Sequence, residues 1–309
     1  MSARRRLTWT LSLASSSAAL LAVGCDTPLK TESLIQDTRV LGARVEVADD
    51  PERASPAPGE QAHLHVFVAA PSGTLNISYA FELCGVTPTE SGFPSCGSPP
   101  FATALQSSPA ANEPELDFEV PTLLDLNTTP HGFMSGVVCP DDTALLGPGG
   151  QAQCSRGPGD AMAFEFDFAG SGEDNDNPTF TPDSLTLDGA TWSASAADAT
   201  CPGTLSEVHA GTKHDFRVQM QDSDFDSLPQ LSPEDPTRET LLISQFSDAG
   251  QLADTFSSLT PATPGLRSDV SWDAPTRADA NGALVHFYFV VRDSRGGEDF
   301  ATRALCVVP

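Results

Sequence analysis

Basic side chains are scarce in this chain of 309 residues: 16 Lys and Arg stand against 42 Asp and Glu, a formal charge of −26. Such a surface repels phosphodiester backbones and anionic headgroups, which excludes nucleic-acid binding and polybasic docking on membranes. Leu, Ile, Val and Phe are sparse as well, at about a fifth of the residues, close to the ~20 % below which a highly charged chain stays unfolded. Catalytic signatures are missing: there is no GxSxG, HExxH, Walker loop or dinucleotide fingerprint, and Gly147-Pro148-Gly149-Gly150 lacks the Lys and following helix that phosphate binding requires. No enzymatic activity is expected and no catalytic residue is assigned. No CxxC pair suggests zinc, and after residue 24 no apolar run reaches the ~18 residues of a membrane span. What the chain does contain is 24 Gly and 26 Pro, which favour short elements joined by turns over long helices.

Arg4, Arg5 and Arg6 precede Leu7 to Gly24, a stretch with no charge and no Pro. A basic region before a short apolar one is the pattern of an export signal. Its end, Ala22-Val23-Gly24-Cys25, resembles the lipobox of bacterial lipoproteins, in which the Cys receives a diacylglycerol thioether. The usual Leu three places before the Cys is here Ala22, with Leu21 one further back. The resemblance implies a signal peptide over 1–24, a mature chain starting at lipidated Cys25, and a membrane anchor, because several acyl chains hold durably where one holds only marginally. The expected location is the cell envelope of a Gram-negative bacterium, at the outer membrane or cell surface, with the inner membrane as the alternative.

Beyond the anchor, 25–37 is polar and aperiodic and reads as a lipidated tether with at most one helical turn around Glu32 to Gln36. From Arg39 the period changes to two. Ala62, Leu64, Val66 and Val68 alternate with Gln61, His63, His65 and Phe67, and Phe164, Phe166 and Phe168 alternate with Ala163, Glu165 and Asp167, both marks of half-buried strands. Leu75 to Leu83, Leu116 to Val120 and Phe133 to Cys139 add further strands. The run Gly170 to Pro178 has no apolar side chain and interrupts the pattern. After it come Leu185 and Leu187 before the turn dipeptide Asp188-Gly189, then Phe216 to Met220, Leu241 to Phe246 and Val270 to Trp272. Leu284 to Val291 is apolar on both faces, which places it at the centre of a sheet, and Asp293 to Gly297 turns it back into a terminal strand, Phe300 to Val308. The expected fold is all-β: two tandem Ig-like antiparallel β-sandwiches, 38–170 and 178–309, joined by a linker over 171–177.

The run Arg39-Val40-Leu41-Gly42-Ala43-Arg44-Val45-Glu46, the later Pro58-Gly59-Glu60, the pair Asn177-Pro178 and the ending Val290-Val291-Arg292-Asp293-Ser294-Arg295-Gly296-Gly297 are similar to segments of uncharacterised bacterial lipoproteins carrying Ig-like modules of the PKD or cadherin type. The resemblance implies a fold and an anchor rather than a reaction.

Setting Cys25 aside leaves six cysteines, an even number suited to an oxidising compartment. Domain membership and proximity favour Cys84 with Cys96, Cys139 with Cys154, and Cys201 with Cys306, out of the fifteen pairings six cysteines allow. His63 and His65 share one strand face, read here as solvent-facing in the absence of a third ligand nearby. No cofactor is expected in the leading reading. The alternative is calcium: Glu173-Asp174-Asn175-Asp176-Asn177-Pro178 resembles the cadherin linker, with one residue fewer before the Pro, and would offer Glu173, Asp174, Asp176 and Asn177, joined by Asp222, Asp224 and Asp226. Asp141-Asp142 lies in a Gly/Pro-rich loop and reads as solvated. The functional expectation is a lipid-anchored, non-enzymatic envelope protein contacting another envelope protein or a glycan through loops such as Thr87 to Pro100 and Asp141 to Pro158. A calcium-rigidified spacer and a cryptic hydrolase, the latter depending on a His near a Ser and a carboxylate in a cleft, are the alternatives.

Overall fold

Alternation sets the first sandwich. In the computed structural model, which describes 32–309 apart from 72, 88–94, 97–98, 148–150, 171–173, 195–199, 202 and 229–236, the chain runs as β1 (Arg39–Val47), β2 (Gln61–Ala69), β3 (Ile77–Thr87), β4 (Ser95–Cys96), β5 (Ala102–Ala110), β6 (Glu115–Glu119), β7 (His131–Pro140), β8 (Ala144–Leu146), β9 (Ala152–Cys154) and β10 (Asp160–Asp167). A three-stranded sheet in the order β1-β2-β6 faces a sheet in which β10, β7, β3 and β4 follow one another and β5 pairs with β3. Their inner faces meet in a core of Val45, Leu64, Val66, Phe81, Met134 and Phe166, each of which contributes roughly 1.5–3 kcal/mol by leaving water.

The second sandwich follows as β11 (Leu185–Leu187), β12 (Ala190–Thr191), β13 (Glu207–His209), β14 (Lys213–Gln219), β15 (Leu241–Ser247), β16 (Gln251–Leu252), β17 (Phe256–Leu259), β18 (Arg267–Asp273), β19 (Ala283–Arg292) and β20 (Glu298–Val308). Its sheets have the orders β12-β11-β14-β18-β16 and β13-β20-β19-β15-β17. All pairings are antiparallel except β13 with β20. Trp192 and Trp272 set their ring edges on Phe287 with centroids 5.0 Å apart in both cases, and Phe216 and Phe289 complete the aromatic centre of this core. The β11–β12 hairpin turns on Asp188 (φ 49°) and Gly189 (φ 83°), the two positive φ values a type I′ turn needs.

The strand apolar on both faces is β19, the middle strand of its sheet. Val285, Phe287, Phe289 and Val291 point into the second core, while Tyr288 and Val290 point the other way and pack with Ile35, Leu41, Phe67 and Ala69. At Tyr288 and Val290 the outer face of β19 is dry because β1 and β2 of the first sandwich lie over it, whereas Leu284 at its start is exposed. β2 shows the same division along one face: His63 and His65 near its start meet solvent, and Phe67 and Ala69 near its end are buried between the sandwiches.

Two expectations change, and one strand appears that was not expected. Glu32 to Gln36 makes no helical turn: Ser33 and Ile35 are buried, and the segment pairs in parallel with the end of β15, the Ser247 N–H donating to the Ser33 carbonyl at 2.9 Å and the Ile35 N–H to the Ser247 carbonyl at 2.8 Å. Strand β5 escapes sequence reading because its half-buried face carries only the small or polar Ala102, Ala104 and Gln106, its large apolar Leu105 lies on the exposed face, and it contains Pro109. Much of Thr87 to Pro100 lies outside the described residues, and Asp141 to Pro158 forms the small β8–β9 hairpin.

Candidate functional site

Polar groups from both sandwiches meet where β1, the 174–178 segment and the β19–β20 turn converge. Asn177 supplies the centre: its Nδ2 donates to the Val45 carbonyl at 2.7 Å and its Oδ1 accepts the Glu298 N–H at 3.0 Å. One side-chain amide thereby stands in for a missing peptide between β1 and β20. Glu298, 4 % exposed, reaches across to accept the Ala43 N–H at 2.9 Å, and Arg292 donates from Nε to Glu298 Oε1 at 2.5 Å and from Nη2 to the Leu41 carbonyl. β1 is the edge strand of its sheet, which leaves these outward backbone groups to be paired by side chains, and a Cβ on Gly42 would collide with the Glu298 carboxylate. Burial raises the Glu298 pKa, while Arg292 opposes the rise.

Beside this lies a more acidic cluster that joins Asp226, one of the calcium candidates, to Glu239, Asp293 and Arg295, which sequence reading did not single out as a site. Asp293 Oδ1 accepts the N–H groups of Arg295 and Gly297 at 2.7 and 2.9 Å, and Asn175 Nδ2 donates to Asp293 Oδ2 at 3.0 Å. Burial, followed by the Glu239 charge, pushes Asp293 up to about 7. The Arg295 guanidinium sits among the acids, 2.7 Å from Glu239 Oε1 and 3.5 Å from Asp226 Oδ2. Glu239 Oε2 and Asn175 Oδ1 are buried without a hydrogen-bond partner among the described residues.

The residues singled out for calcium divide. Asp174, Asp176, Asp224 and Asp226 come to this junction: the Asp176 N–H donates to Asp226 Oδ2 at 2.8 Å, the Thr179 N–H to Asp224 Oδ1 at 3.3 Å, and the Asp174 carbonyl accepts from Arg295 Nη2 at 3.3 Å. Burial raises Asp176 and Asp224, with mutual repulsion from Asp226 adding to it. Asp222 points elsewhere, to Arg238 at 2.8 Å. Asn177 is occupied by backbone, and Glu173 lies outside the described residues, as does Cys25. Among the described residues no three His, Cys, Asp or Glu side chains are grouped so as to hold a metal ion. Arg295 already places a positive charge in the cluster.

The six other cysteines join as read from sequence: Cys84 with Cys96, Cys139 with Cys154 and Cys201 with Cys306, with Cα atoms 5.4, 5.6 and 5.2 Å apart. Asp142 is a correction. It is 8 % exposed rather than solvated and accepts from Ser155 Oγ at 2.5 Å, the Thr143 N–H at 2.7 Å and the Arg156 N–H at 2.8 Å, bonds that hold its carboxyl far below the usual carboxylate range. Its role is to lock the β8–β9 hairpin.

Five of the six histidines pair with carboxylate side chains. His63 meets Asp117 at 2.5 Å, His65 lies between Glu46 and Glu115, and His131 meets Asp167 at 2.6 Å. His214 bridges Asp188 at 2.7 Å and the Thr212 hydroxyl at 2.7 Å, a chain of the kind that activates nucleophiles, but the Thr212 hydroxyl also lies 2.5 Å from the His209 carbonyl and donates its proton there. His286 lines a cleft. Its Nδ1 lies 2.6 Å from Asp248 Oδ2, and the cleft, about 380 Å³, opens between the sandwiches beside Phe67, Gly73, Glu113 and Tyr288.

No protein-family model matches the chain. No curated protein sequence matches it. Among solved structures it is similar to dimeric latent PorU from Porphyromonas gingivalis, at 13 % identity and a TM-score of 0.22 over 88 % of this chain, and spans 24 % of that chain's length. It is also similar to a protein described as BspA_C_mut, at 7 % identity and a TM-score of 0.20, covering 86 % of this chain and 98 % of the other. Neither likeness bears on activity.

Proposed function

We propose that the protein is a lipid-anchored, non-enzymatic component of a Gram-negative cell envelope, in which two Ig-like β-sandwiches of the PKD or cadherin type act as one rigid body that contacts another envelope protein or a glycan. The observation that carries this reading is the junction: Asn177, Glu298 and Arg292 join the backbones of β1 and β20, and Phe67, Leu41, Tyr288 and Val290 exclude water beside them. A body braced in this way and closed by three disulfides suits a display scaffold outside the cytosol. The anchor rests on the Ala22-Val23-Gly24-Cys25 motif and its Arg-led apolar segment. Mass spectrometry of the amino terminus of protein isolated from membranes tests it directly. A diacylglyceryl, acylated Cys25 is the expected result, and an unmodified Cys25 ends the proposal. Limited proteolysis with and without calcium tests the rigid body: uncut chain between 174 and 178 in both conditions is expected, and cutting that calcium alone suppresses would favour the ion-stiffened spacer instead.

A further inference from the structure

The edge of a sheet is where another chain can be added, and charged side chains on an edge strand discourage it. Among the described residues, four strands of five or more residues lie at sheet edges: β1, β5, β6 and β10. Three of them carry ionised groups, Arg44 and Glu46 on β1, Glu115 and Asp117 on β6, and Glu165 and Asp167 on β10. Strand β5, Ala-Thr-Ala-Leu-Gln-Ser-Ser-Pro-Ala, carries none. Among the described residues it pairs with β3 alone, and no loop backbone satisfies its other edge. Its surroundings are uncharged too: no Asp, Glu, Lys or Arg occurs from Phe101 to Asn112, nor from Thr143 to Ser155 in the β8–β9 segment, and β8 packs beside β5. Apolar groups stand there instead, Leu105 at 51 % and Leu145 at 40 % exposed. Loss of charge around exposed apolar side chains is the compositional mark of a protein interface.

The charge pattern selects the occupant. Two chains that each carry −26 repel wherever their acidic faces meet, so an uncharged strip is where a second copy can approach without setting like charges together. Antiparallel pairing of two identical strands creates a two-fold axis, and near that axis each side chain meets its own copy or a close neighbour of it. Charged strands are penalised in such a pairing, because like charges directly opposite destabilise a ladder, and β5 escapes the penalty. Its register against β3 is regular from Ala102 to Gln106 and breaks before Ala110, so Ser107 to Pro109 leave the ladder and the straight part is centred on Ala104. We infer that β5 pairs antiparallel with β5 of a second copy about an axis at Ala104. Thr103 then stands opposite Leu105 of the partner subunit, and the two five-stranded sheets become one. The contact is small, which places it among weak, reversible interfaces. It needs neither the lipid anchor nor the junction acids.

Size-exclusion chromatography with light scattering tests this on the purified full-length protein, in excess detergent at ~0.15 M salt and at ~100 μM chain, enough to populate a weak interface. A protein mass of twice one chain is expected. Leu105→Lys should weaken association roughly tenfold or more and return the mass to one chain, with the melting temperature unchanged because that side chain is half exposed. Copies held together only by sharing a micelle would be indifferent to it. Thr103→Glu alone should act in the same way. Thr103→Glu combined with Leu105→Lys in one chain should restore the dimer, since the new carboxylate and ammonium face each other twice across the axis. A monomeric wild type, the result if a neutral strand of another protein or a glycan takes this edge instead, would overturn the inference. So would dimers that survive Leu105→Lys, or a double variant that stays monomeric.

Discussion

Asn177 shows how much one side chain can carry. Its amide satisfies a β1 carbonyl on the free edge of its sheet and a β20 N–H at the start of that strand. Asn177→Ala would orphan both in a buried site at ~1–3 kcal/mol each, so a loss of about 3 kcal/mol in urea denaturation is expected, against little change for the exposed neighbour Thr179→Ala. Gly42 is its counterpart: Gly42→Ala should displace the Glu298 carboxylate from the Ala43 N–H and destabilise by a similar ~1–3 kcal/mol. These residues stood out in the sequence. The run Arg39 to Glu46, the Asn177-Pro178 pair and the run Val290 to Gly297 carried the resemblance to Ig-like lipoprotein modules, and they are the segments that meet at the junction. What no pattern of period two could disclose is that they touch, because the contact is between residues about 120 to 255 positions apart.

At the scale of elements, the β19–β20 turn contains a titratable switch in stability. Asp293 has a folded pKa of about 7, above the ordinary carboxylate value of 3.8, so the folded state holds a proton that the unfolded state releases. Its contribution is fully present below pH ~4 and is lost as pH rises toward 7, with an upper bound of ~4 kcal/mol. Asp293→Asn should remove this dependence: the difference in melting temperature between variant and wild type should widen in the variant's favour from pH 5 to pH 8. The Asn175 amide can rotate to match, since its Oδ1 has no hydrogen-bond partner among the described residues. Disulfides belong to the same scale. Removing Cys201–Cys306, which closes 105 residues, should cost ~5 kcal/mol, and removing Cys139–Cys154, which closes 15, ~3 kcal/mol, measured as paired Cys→Ser variants. Strand patterning was legible wherever one face was wet and the other dry, as in β2 and β10. It failed for β5, whose inward face is made of small or polar residues (Ala102, Ala104, Gln106) while the apolar Leu105 faces out, and for 32–36, whose extended path is set by pairing with Ser247 rather than by any local preference.

For the whole molecule, the apolar seam of Leu41, Phe67, Tyr288 and Val290 couples two cores that share no strand. Thermal unfolding of the wild type should be a single calorimetric transition. Phe67→Ala, at a cost of ~3–5 kcal/mol in that seam, should split it in two. The sequence announced two β-sandwiches through spacing and through the charged run between them. It also contained, in the doubly apolar strand Leu284 to Val291, the sign of a covered outer face, though not the identity of the cover. Glu239 was hidden because it sits in a polar local context that looks solvated until the rest of the fold closes over it, and for Asp293 the turn was legible but its burial was not.

The pairing of Ser33 and Ile35 with Ser247 sets where a pull on the amino-terminal side would be felt. Tension arriving through residue 32 would reach the end of β15, in the second sandwich, before it reached β1 in the first. Two short backbone bonds would yield first, paying out a few residues of slack, and only then would the load shear β1 from β2. Single-molecule stretching should therefore record a small early extension ahead of the main rupture, and proline at position 35, which deletes one of those bonds, should abolish it.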